Sequence, residues 1–451
     1  MESPRDVPLL SADLLCHQSC AGVLGVPVTI LHGDCIEVMR TLQADSVDAL
    51  VSDPPYGIGF MGREWDTFKP EAVKTAAHMK QRKDPALLAN QNVRGRKRSP
   101  AMSPSQVEYD YSVTGLRAFQ AWTELWAREA FRILKPGAHA VVCGAPRAYH
   151  RMASGLEDAG FEIRDCLAWL FGSGFPKSLN LGEGLGTALK PAHEPIVLAR
   201  KPFKGTVKGN VEKFGTGALN IDACRIEGTD NTTKAERFAG DRPRDQYRTG
   251  TSGPSIPTDV GRWPANVCLD EIAALVLDEQ SGELVSGYKA AGTYMNGRSG
   301  GIMGKHVQRE QDEIPGDVGG ASRFYYVAKP SREERDYGLW EVSPRSGGAA
   351  TGREDGSAGL CSPRAGAGRG GTARNFHPTV KPVELMRWLV KLITPINGTV
   401  LDPFLGSGTT GMACVYEQRS FIGIEREAEY LEIAEARIAA VAPLFAGEVS
   451  A

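Results

Sequence analysis

The feature that most constrains the fold of this chain is a short apolar run that ends in an acid, two prolines and an aromatic residue. The run covers residues 47–51, and a run of this kind is typical of a buried parallel strand. In open α/β sheets, ligands bind beside the carboxyl ends of such strands. We therefore expect the tetrapeptide Asp53-Pro54-Pro55-Tyr56 to lie at a ligand-binding edge of a sheet.

This tetrapeptide suits a planar ring that carries an exocyclic amine. The lone pair of such an amine is delocalised into the ring, which makes its nitrogen a poor nucleophile. Hydrogen bonds to Asp53 and to the carbonyl oxygen of Pro54 would shift the nitrogen towards sp³ geometry, while Tyr56 stacks on the ring face. An ordinary Pro-Pro turn is the alternative, because four residues alone do not decide between the two.

A second predicted strand end carries a glycine-rich loop. The apolar segment 398–401 continues into Asp402-Pro403-Phe404-Leu405-Gly406-Ser407-Gly408-Thr409-Thr410. We expect the glycines to allow a tight turn against a ligand, and Ser407 or Thr409 to cap a helix that extends to about residue 418. The next strand ends in Glu425, and an acid at about this distance commonly binds ribose hydroxyls. The spacing fits neither a dinucleotide nor a phosphate-binding loop, so we expect a nucleoside-bearing cofactor without phosphate.

Both strand ends together resemble those of the amino-methyltransferases of DNA, which use S-adenosylmethionine to methylate N6 of adenine or N4 of cytosine. The resemblance covers residues 28–200 and 374–440. It is to the β order of that family, in which the Asp-Pro-Pro-Tyr half comes first. It implies an α/β fold with a Rossmann-like, doubly wound, mostly parallel sheet in circularly permuted methyltransferase order, interrupted by an irregular target-recognition insert.

On this interpretation the chain divides into five segments. They are an N-terminal extension (1–27), a catalytic half (28–200) with a flap loop at about 57–110, a target-recognition insert (201–373), a cofactor-binding half (374–442) and a tail (443–451). Their patterns favour a doubly wound sheet, because strands and helices alternate in both halves.

Part of the catalytic half allows more detailed expectations. Helical spacing at 116–134 ends at Lys135-Pro136-Gly137. This helix is followed by a buried strand at 138–143, a helix at 146–159 and a strand towards the sheet edge at 161–171.

The resemblance assigns roles to residues at both strand ends. The expected catalytic residues are Asp53, Pro54, Pro55 and Tyr56. The residues expected to bind S-adenosylmethionine are Asp34, Cys35, Asp53, His377, Thr379, Lys381, Asp402, Pro403, Phe404, Gly406, Ser407, Gly408, Thr409 and Glu425. We expect no metal ion.

Three of these assignments carry an alternative or a limit. Asp34 either caps the helix that follows it or lies beside the adenine of the cofactor. Thr379 and Lys381 are candidates for binding the cofactor carboxylate. His377 is not expected to act as a base, because the amine loses its proton only after methyl transfer has made it cationic and acidic.

The expected contacts to DNA are basic residues, most of them in the flap loop. They are Arg63, Arg94, Arg96, Lys97, Arg98, Lys177 and Arg262. Because the formal net charge of the chain is −2, binding to DNA phosphates must come from such local patches. The alternative for the flap loop is a solvated loop without a role in binding.

Composition excludes several classes. The nine cysteines include no Cys-x-x-Cys pair, which argues against a zinc site or a disulfide scaffold and favours a reduced, cytoplasmic protein. No uncharged apolar stretch approaches about 18 residues, so no membrane span is expected. The family resemblance implies a bacterial or phage origin, association with the nucleoid, and a possible homodimer or cognate restriction endonuclease.

The function expected from these observations is methylation of adenine N6 in a base flipped out of double-stranded DNA. An acid at the first position of the Asp-Pro-Pro-Tyr motif favours adenine, and cytosine N4 is the alternative. Methylation of RNA or of a protein glutamine is a second enzymatic alternative. A non-catalytic DNA-binding or regulatory protein is the alternative of another class.

Overall fold

The computed structural model describes residues 20–21, 26–57, 112–172, 174, 180–228, 261–286, 294–298, 306–310, 317–328, 332–346 and 372–441. The strands in these ranges are β1 (Cys20–Ala21), β2 (Pro27–His32), β3 (Val47–Ser52), β4 (Leu134–Cys143), β5 (Glu162–Leu170), β6 (Asn180–Gly182), β7 (Leu185–Gly186), β8 (His193–Arg200), β9 (Val267–Asp270), β10 (Leu284–Ser286), β11 (Tyr294–Arg298), β12 (His306–Glu310), β13 (Asp317–Gly319), β14 (Tyr326–Ala328), β15 (Arg345–Ser346), β16 (Thr372–Ala373), β17 (Thr399–Asp402) and β18 (Ser420–Glu425). The α-helices are α1 (Cys35–Thr41), α2 (Val113–Ile133), α3 (Tyr149–Asp158), α4 (Val207–Phe214), α5 (Glu271–Ser281), α6 (Arg332–Asp336), α7 (Val383–Ile393), α8 (Thr409–Tyr416) and α9 (Ala428–Val441).

Ten of these strands form one central sheet. Their order is β1-β2-β18-β17-β3-β4-β8-β5-β9-β14. Neighbouring strands are parallel, except that β1 runs antiparallel to β2 and β8 runs antiparallel to both β4 and β5. This mostly parallel α/β sheet confirms the fold class predicted from the sequence.

Apolar cores cover both faces of the sheet, because successive residues of a strand point to opposite sides. Leu50 of β3 belongs to the core that contains Trp126 of α2. Its neighbour Val51 belongs to the core that contains Trp388 of α7. All four side chains are at most 1% exposed. The long, continuous burial of β3 explains why its sequence lacks the alternation of a half-exposed strand.

The order of the strands shows the permutation directly. The late strands β17 and β18 lie between the early strands β3 and β2, and all of these pairs are parallel. Leu401 pairs with Leu50 although about 350 residues separate them in the sequence. The two halves of the chain therefore build one sheet, whose carboxyl edge carries both of the strand ends identified above.

The strand predicted at residues 161–171 is β5, which lies towards one edge of the sheet as expected, between β8 and β9. It is not the edge strand itself. The reason is that the middle of the chain, which we expected to be irregular, supplies β9 and β14 as further parallel strands. The periodicity of a segment indicates a strand but does not reveal which distant segments will pair with it.

The boundary between α2 and β4 also differs from the prediction. The helix ends at Ile133, but Lys135-Pro136-Gly137 already belong to β4 rather than to a connecting turn. Lys135 donates to Asp48 of β3 at 2.7 Å, at a shift in the register between the two strands. In the described ranges we find no helix with the length and apolarity needed to cross a bilayer.

Candidate active site

A cavity of about 550 Å³ lies at the carboxyl edge of the sheet, where β2, β18, β17 and β3 end. It brings together residues from both halves of the chain. All four predicted catalytic residues line it, as do all of the predicted cofactor-binding residues except Gly408. The residues of the lining that sequence reasoning did not single out include Trp122, Phe171, Pro191, Glu194, Met386, Arg426, Glu427 and Tyr430.

Four side chains form a hydrogen-bonded group in this cavity, which we call the acidic cluster: Asp53, Tyr56, Glu194 and Lys381. The Lys381 ammonium lies 2.7 Å from Asp53 Oδ2, 2.9 Å from Tyr56 Oη and 3.1 Å from Glu194 Oε2. The Tyr56 hydroxyl donates to Asp53 Oδ1 at 2.8 Å and lies 3.3 Å from Glu194 Oε2. One cation and one phenol therefore bridge two carboxylates.

The charge states of the acidic cluster follow from these contacts. Burial alone lowers the pKa of Lys381, but the carboxylates of Asp53 and Glu194 outweigh burial and raise this pKa above its ordinary value. Burial, together with the same carboxylates, raises the pKa of Tyr56 well above its ordinary value. Lys381 is therefore a cation and Tyr56 a neutral hydrogen-bond donor at neutral pH.

Asp402 connects the two strand ends. Its Oδ1 accepts a hydrogen bond of 2.6 Å from Ser52, the last residue of β3, and one of 3.1 Å from the backbone N–H of Phe404. Burial raises the pKa of Asp402 to about 6, and the hydrogen bonds from Ser52 and Thr410 only partly offset this effect. The side chain thus fixes the start of the Gly-rich loop (residues 403–408) against the strand that carries Asp53.

The Gly-rich loop does not use the cap that we predicted. Gly408, not Ser407 or Thr409, is the N-cap of α8, and no side chain bonds to the helix N-terminus there. Ser407 and Thr409 instead accept hydrogen bonds of 3.1 Å from Arg437 of α9, which also donates to the backbone oxygen of Ser407 at 2.6 Å. The hydroxyls turn towards this buried guanidinium because Arg437 is fully buried and needs acceptors.

Glu425 braces the same loop from the end of β18. Its Oε2 accepts from the Gly406 N–H at 2.8 Å and its Oε1 from the Glu427 N–H at 2.9 Å. Burial raises the pKa of Glu425 to about 7, although these backbone bonds lower it. The carboxylate lines the cavity, at the position where the sequence predicted an acid for ribose hydroxyls.

Asp34 does cap α1, by accepting from the N–H groups of Ile36 and Glu37 at 3.0 and 3.3 Å. It also lines the cavity together with Cys35, so the two roles considered for Asp34 are compatible.

The segment that contains His377 and Thr379 closes another side of the cavity. His377 Nδ1 lies 2.5 Å from the carbonyl oxygen of Thr379, and its ring meets the ring of Tyr430 edge-on. Burial lowers the pKa of His377 to about 4, so the imidazole is neutral at neutral pH. A pKa this low makes the imidazole a weak base, and the absence of a catalytic role for His377 stays a prediction.

An aromatic group supports the loop from the other side of the sheet. Phe404 packs against Trp122 and Trp126 of α2, with ring centroids 5.4 Å apart in both pairs. Trp122 and Trp126 lie one helical turn apart in α2, and this helical spacing is a signal in the sequence that could have suggested a common face. It could not have revealed that Trp122 reaches the cavity.

Most of the predicted DNA contacts lie outside the described residues. These are Arg63, Arg94, Arg96, Lys97, Arg98 and Lys177. Arg262 is described, and it is only 8% exposed. Its guanidinium pairs with Asp317 and donates to the backbone oxygens of Glu227 and Arg323 at 2.7 Å. Arg262 therefore connects segments of the middle region instead of facing solvent, where a phosphate contact would require it.

Among the residues that the structure describes, no group of three or more His, Cys, Asp or Glu side chains is placed to hold a metal ion.

A family model and curated proteins show similarity to this chain. The profile of a DNA methylase family named for N6 and N4 methylation matches residues 47–436. The chain is similar to the Type II methyltransferase M.HindIII of Haemophilus influenzae, with 26% identity over 209 residues that make up 42% of this chain and 64% of that protein. It is 43% identical to the Type II methyltransferase M2.MboI of Moraxella bovis over 72 residues, or 16% of this chain and 26% of that protein. The chain thus spans less than two thirds of the length of each of these curated relatives.

Solved structures show a weaker likeness. The PvuII DNA methyltransferase (cytosine-N4-specific) is 12% identical, with a TM-score of 0.41 over 93% of this chain and 92% of that one. Similarity at this level supports no conclusion about the chemistry of this chain.

Proposed function

Because this chain belongs to the N6/N4 DNA methylase family, whose cofactor is S-adenosylmethionine, we propose that it methylates N6 of adenine in DNA. The observation that carries the proposal is the single cavity in which the acidic cluster and the Gly-rich loop meet. An acceptor for an exocyclic amine and a loop suited to a nucleoside cofactor lie on adjacent strands, β3 and β17. This juxtaposition is what a direct transfer between two bound molecules requires.

The residues present fit S-adenosylmethionine. The cavity volume of about 550 Å³ lies within the range of small-molecule sites. The Glu425 carboxylate is placed for a ribose diol, and Gly406, at φ +53°, keeps the loop backbone close to the cavity. A Cβ on Gly406 would lie 2.9 Å from His377 Nε2, so the loop and the His377 segment meet without a side chain between them. When bound, this cofactor supplies an electrophilic methyl group on a sulfonium.

The protein residues act chiefly by positioning. Asp53 accepts a hydrogen bond from the target amine, which localises the nitrogen lone pair. Tyr56 offers its ring face to the base, and its hydroxyl bonds to Asp53 and Lys381 prevent the ring from rotating away. The nitrogen becomes acidic only after it has accepted the methyl group, so the reaction needs no strong base.

The target base must leave the helix before it can react. In a duplex the exocyclic amine is paired and stacked, and a cavity lined by Asp53 and Tyr56 is reached only by a flipped base. Tyr56 and the nearby ring of Phe171 then replace the stacking that the base loses, at about 1–3 kcal/mol for each such contact.

The choice of adenine rests on the acid at the first position of the motif, Asp53. Cytosine N4 is the alternative, because both bases present the same kind of amine to the same acceptor. Double-stranded DNA is the proposed substrate. Dimerisation, a cognate restriction endonuclease and a cytoplasmic location stay predictions from the family resemblance.

Nucleoside mass spectrometry of DNA from cells that express the protein tests this proposal. We expect N6-methyladenine with the wild type, and none above background with Asp53→Ala. Glu212→Ala is the matched control, because Glu212 is an exposed carboxylate on α4, away from the cavity. This control should give as much methylation as the wild type.

The outcomes separate the parts of the proposal. N4-methylcytosine in place of N6-methyladenine would retain the mechanism and overturn the choice of base. If neither product appears while the purified protein binds S-adenosylmethionine, the DNA substrate is wrong.

A further inference from the structure

Glu194 is the member of the acidic cluster that nothing in the sequence pointed to. It lies on β8, the strand that runs antiparallel between β4 and β5, and its side chain is 23% exposed. Its Oε2 contacts Lys381 and Tyr56, the same two groups that Asp53 contacts. Within the described part of the chain, Glu194 Oε1 receives no hydrogen bond, and the residue lines the cavity. A second carboxylate thus faces the place where the target amine is expected.

We propose that Glu194 is a charge-setting residue of the reaction, which keeps the acidic cluster negative so that positive charge is stabilised on the target nitrogen. This inference rests on the proposed function and concerns the same site. With Asp53, Glu194 and Lys381 present, the formal charges sum to one negative charge. Without Glu194, Lys381 would neutralise Asp53, and the acceptor of the amine would belong to a neutral ion pair.

The negative sign of the net charge on the acidic cluster matters because positive charge moves towards the cluster during the reaction. The nitrogen lone pair forms the new N–C bond while the C–S bond breaks and leaves its electron pair on sulfur. Positive charge therefore moves from the sulfur to the nitrogen, towards the acidic cluster, and Asp53 then takes one proton from the nitrogen. A cluster that already carries negative charge before the reaction stabilises the transition state, and it does not need to reorganise while the methyl group is transferred.

Among the described residues, Asp53 and Glu194 are the carboxylates that pair with Lys381. Cys143, on the neighbouring strand β4, remains a neutral thiol because burial raises its pKa well above the ordinary value. His377 is neutral, since its pKa is about 4. Asp402 is mostly ionised at neutral pH, because its pKa is about 6, but its hydrogen bonds join it to Ser52 and to the Gly-rich loop. Glu194 is therefore the second carboxylate, beside Asp53, that contacts Lys381 and sets the charge of the cluster.

Two analogues probe the potential at the reacting atom without any DNA. S-adenosylhomocysteine has a neutral thioether, whereas sinefungin places an ammonium where the transferred methyl group would be. The ratio of their dissociation constants, measured by calorimetry, reports how strongly the cluster attracts a cation. Removing one charge of the cluster should change this ratio by roughly tenfold, which lies between the effects of one charge in water and near a protein surface.

The test compares Glu194→Gln, which keeps the shape of the side chain, with Glu194→Asp, which keeps its charge. We expect Glu194→Gln to lose about tenfold of the preference for sinefungin, with S-adenosylhomocysteine binding and thermal stability unchanged. Its methyl transfer to unmethylated genomic DNA at saturating substrates should also fall, but by a smaller factor, because the bound sulfonium already interacts with the cluster before the reaction. Glu194→Asp should retain more of both, and Glu212→Gln on α4 should equal the wild type.

Two results would overturn the inference. One is an unchanged preference for sinefungin in Glu194→Gln. The other is a glutamine variant that performs better than the aspartate variant, which would show that Glu194 acts through its shape. If the wild type prefers sinefungin but methylates no DNA, the proposed function fails, while the analogue ratio still decides the role of Glu194.

Discussion

Asp402 is a carboxylic acid that the fold places where ionisation is costly. It is 2% exposed, and its hydrogen bonds come from neutral donors of the backbone and of hydroxyl groups. Burial raises its pKa to about 6, so the folded protein binds a proton here more tightly than the unfolded chain does. The stability that results is fully present below the unfolded pKa and is lost as the pH rises through the folded value.

We predict that Asp402→Asn changes the pH dependence of stability. The amide oxygen can accept the bonds from Ser52 and Phe404, and the Thr410 hydroxyl can rotate to accept from the amide nitrogen. Relative to the wild type, the variant should gain roughly 1–2 kcal/mol of unfolding free energy between about pH 5 and about pH 8. Urea unfolding at the two pH values measures this difference. A difference that does not change with pH would contradict the raised pKa.

At this scale the sequence predicted the site residues that stand in recognisable motifs and missed those that do not. Asp53 and Tyr56 could be identified because they stand in one tetrapeptide at the end of an apolar run. Glu194 and Arg437 could not, because each acts on a residue more than 25 positions away. Their neighbours in sequence give no sign of the partner that the fold supplies.

At the scale of secondary-structure elements, the close packing of α9 restricts which residues the Gly-rich loop can contain. Gly408 has φ +80°, and a Cβ there would lie 2.8 Å from the Cα of Ala434 in α9. Two requirements thus act at one position: a left-handed backbone and the absence of a side chain. Gly215, the C-cap of α4, has nearly the same φ of +77°, but a Cβ there would meet nothing within 4 Å.

We predict that Gly408→Ala is more destabilising than Gly215→Ala. Both variants pay about 1–2 kcal/mol for the left-handed conformation. Gly408→Ala should cost about 2 kcal/mol more, because the new methyl group pushes against the backbone of α9. Chemical unfolding of the two variants checks this prediction. Equal losses would show that the loop can move away from α9 at little cost.

Helices and strands were predicted well where a local sequence pattern determines them. They were predicted less well where pairing with a distant strand determines their place in the sheet. The helix predicted at residues 116–134 was found at Val113–Ile133, because its apolar residues repeat with helical period. By contrast, the sequence pattern did not reveal that β9 and β14 continue the sheet beyond β5. Capping by Ser407 or Thr409 was wrong because a distant arginine competes for the same oxygens.

For the molecule as a whole, the cavity depends on segments that are far apart in sequence. Residues 33–35, 402–407 and 424–427 all line it. They lie at the ends of strands that are adjacent in the sheet, so all three segments are within reach of one ligand in the cavity. Helix α4 lies elsewhere and lines no part of the cavity.

We predict that S-adenosylmethionine slows backbone hydrogen exchange in these three segments together. The ligand should close the access of water to the loop amides that line the cavity. Exchange in residues 207–214 of α4 should not change, which provides an internal control. Exchange measured by mass spectrometry with and without the cofactor gives the answer. Protection limited to one segment would argue against a shared site.

The interleaved strand order also bears on how the protein is made. A ribosome releases β2 and β3 long before it releases β17 and β18, which fill the space between them. Until then, the facing edges of the two early strands have no partner, and unpaired edges attract other chains. A nascent chain that stops before residue 399 lacks both of the strands that lie between β2 and β3. Synthesis itself therefore delays the assembly of the cavity until the described chain is almost entirely translated.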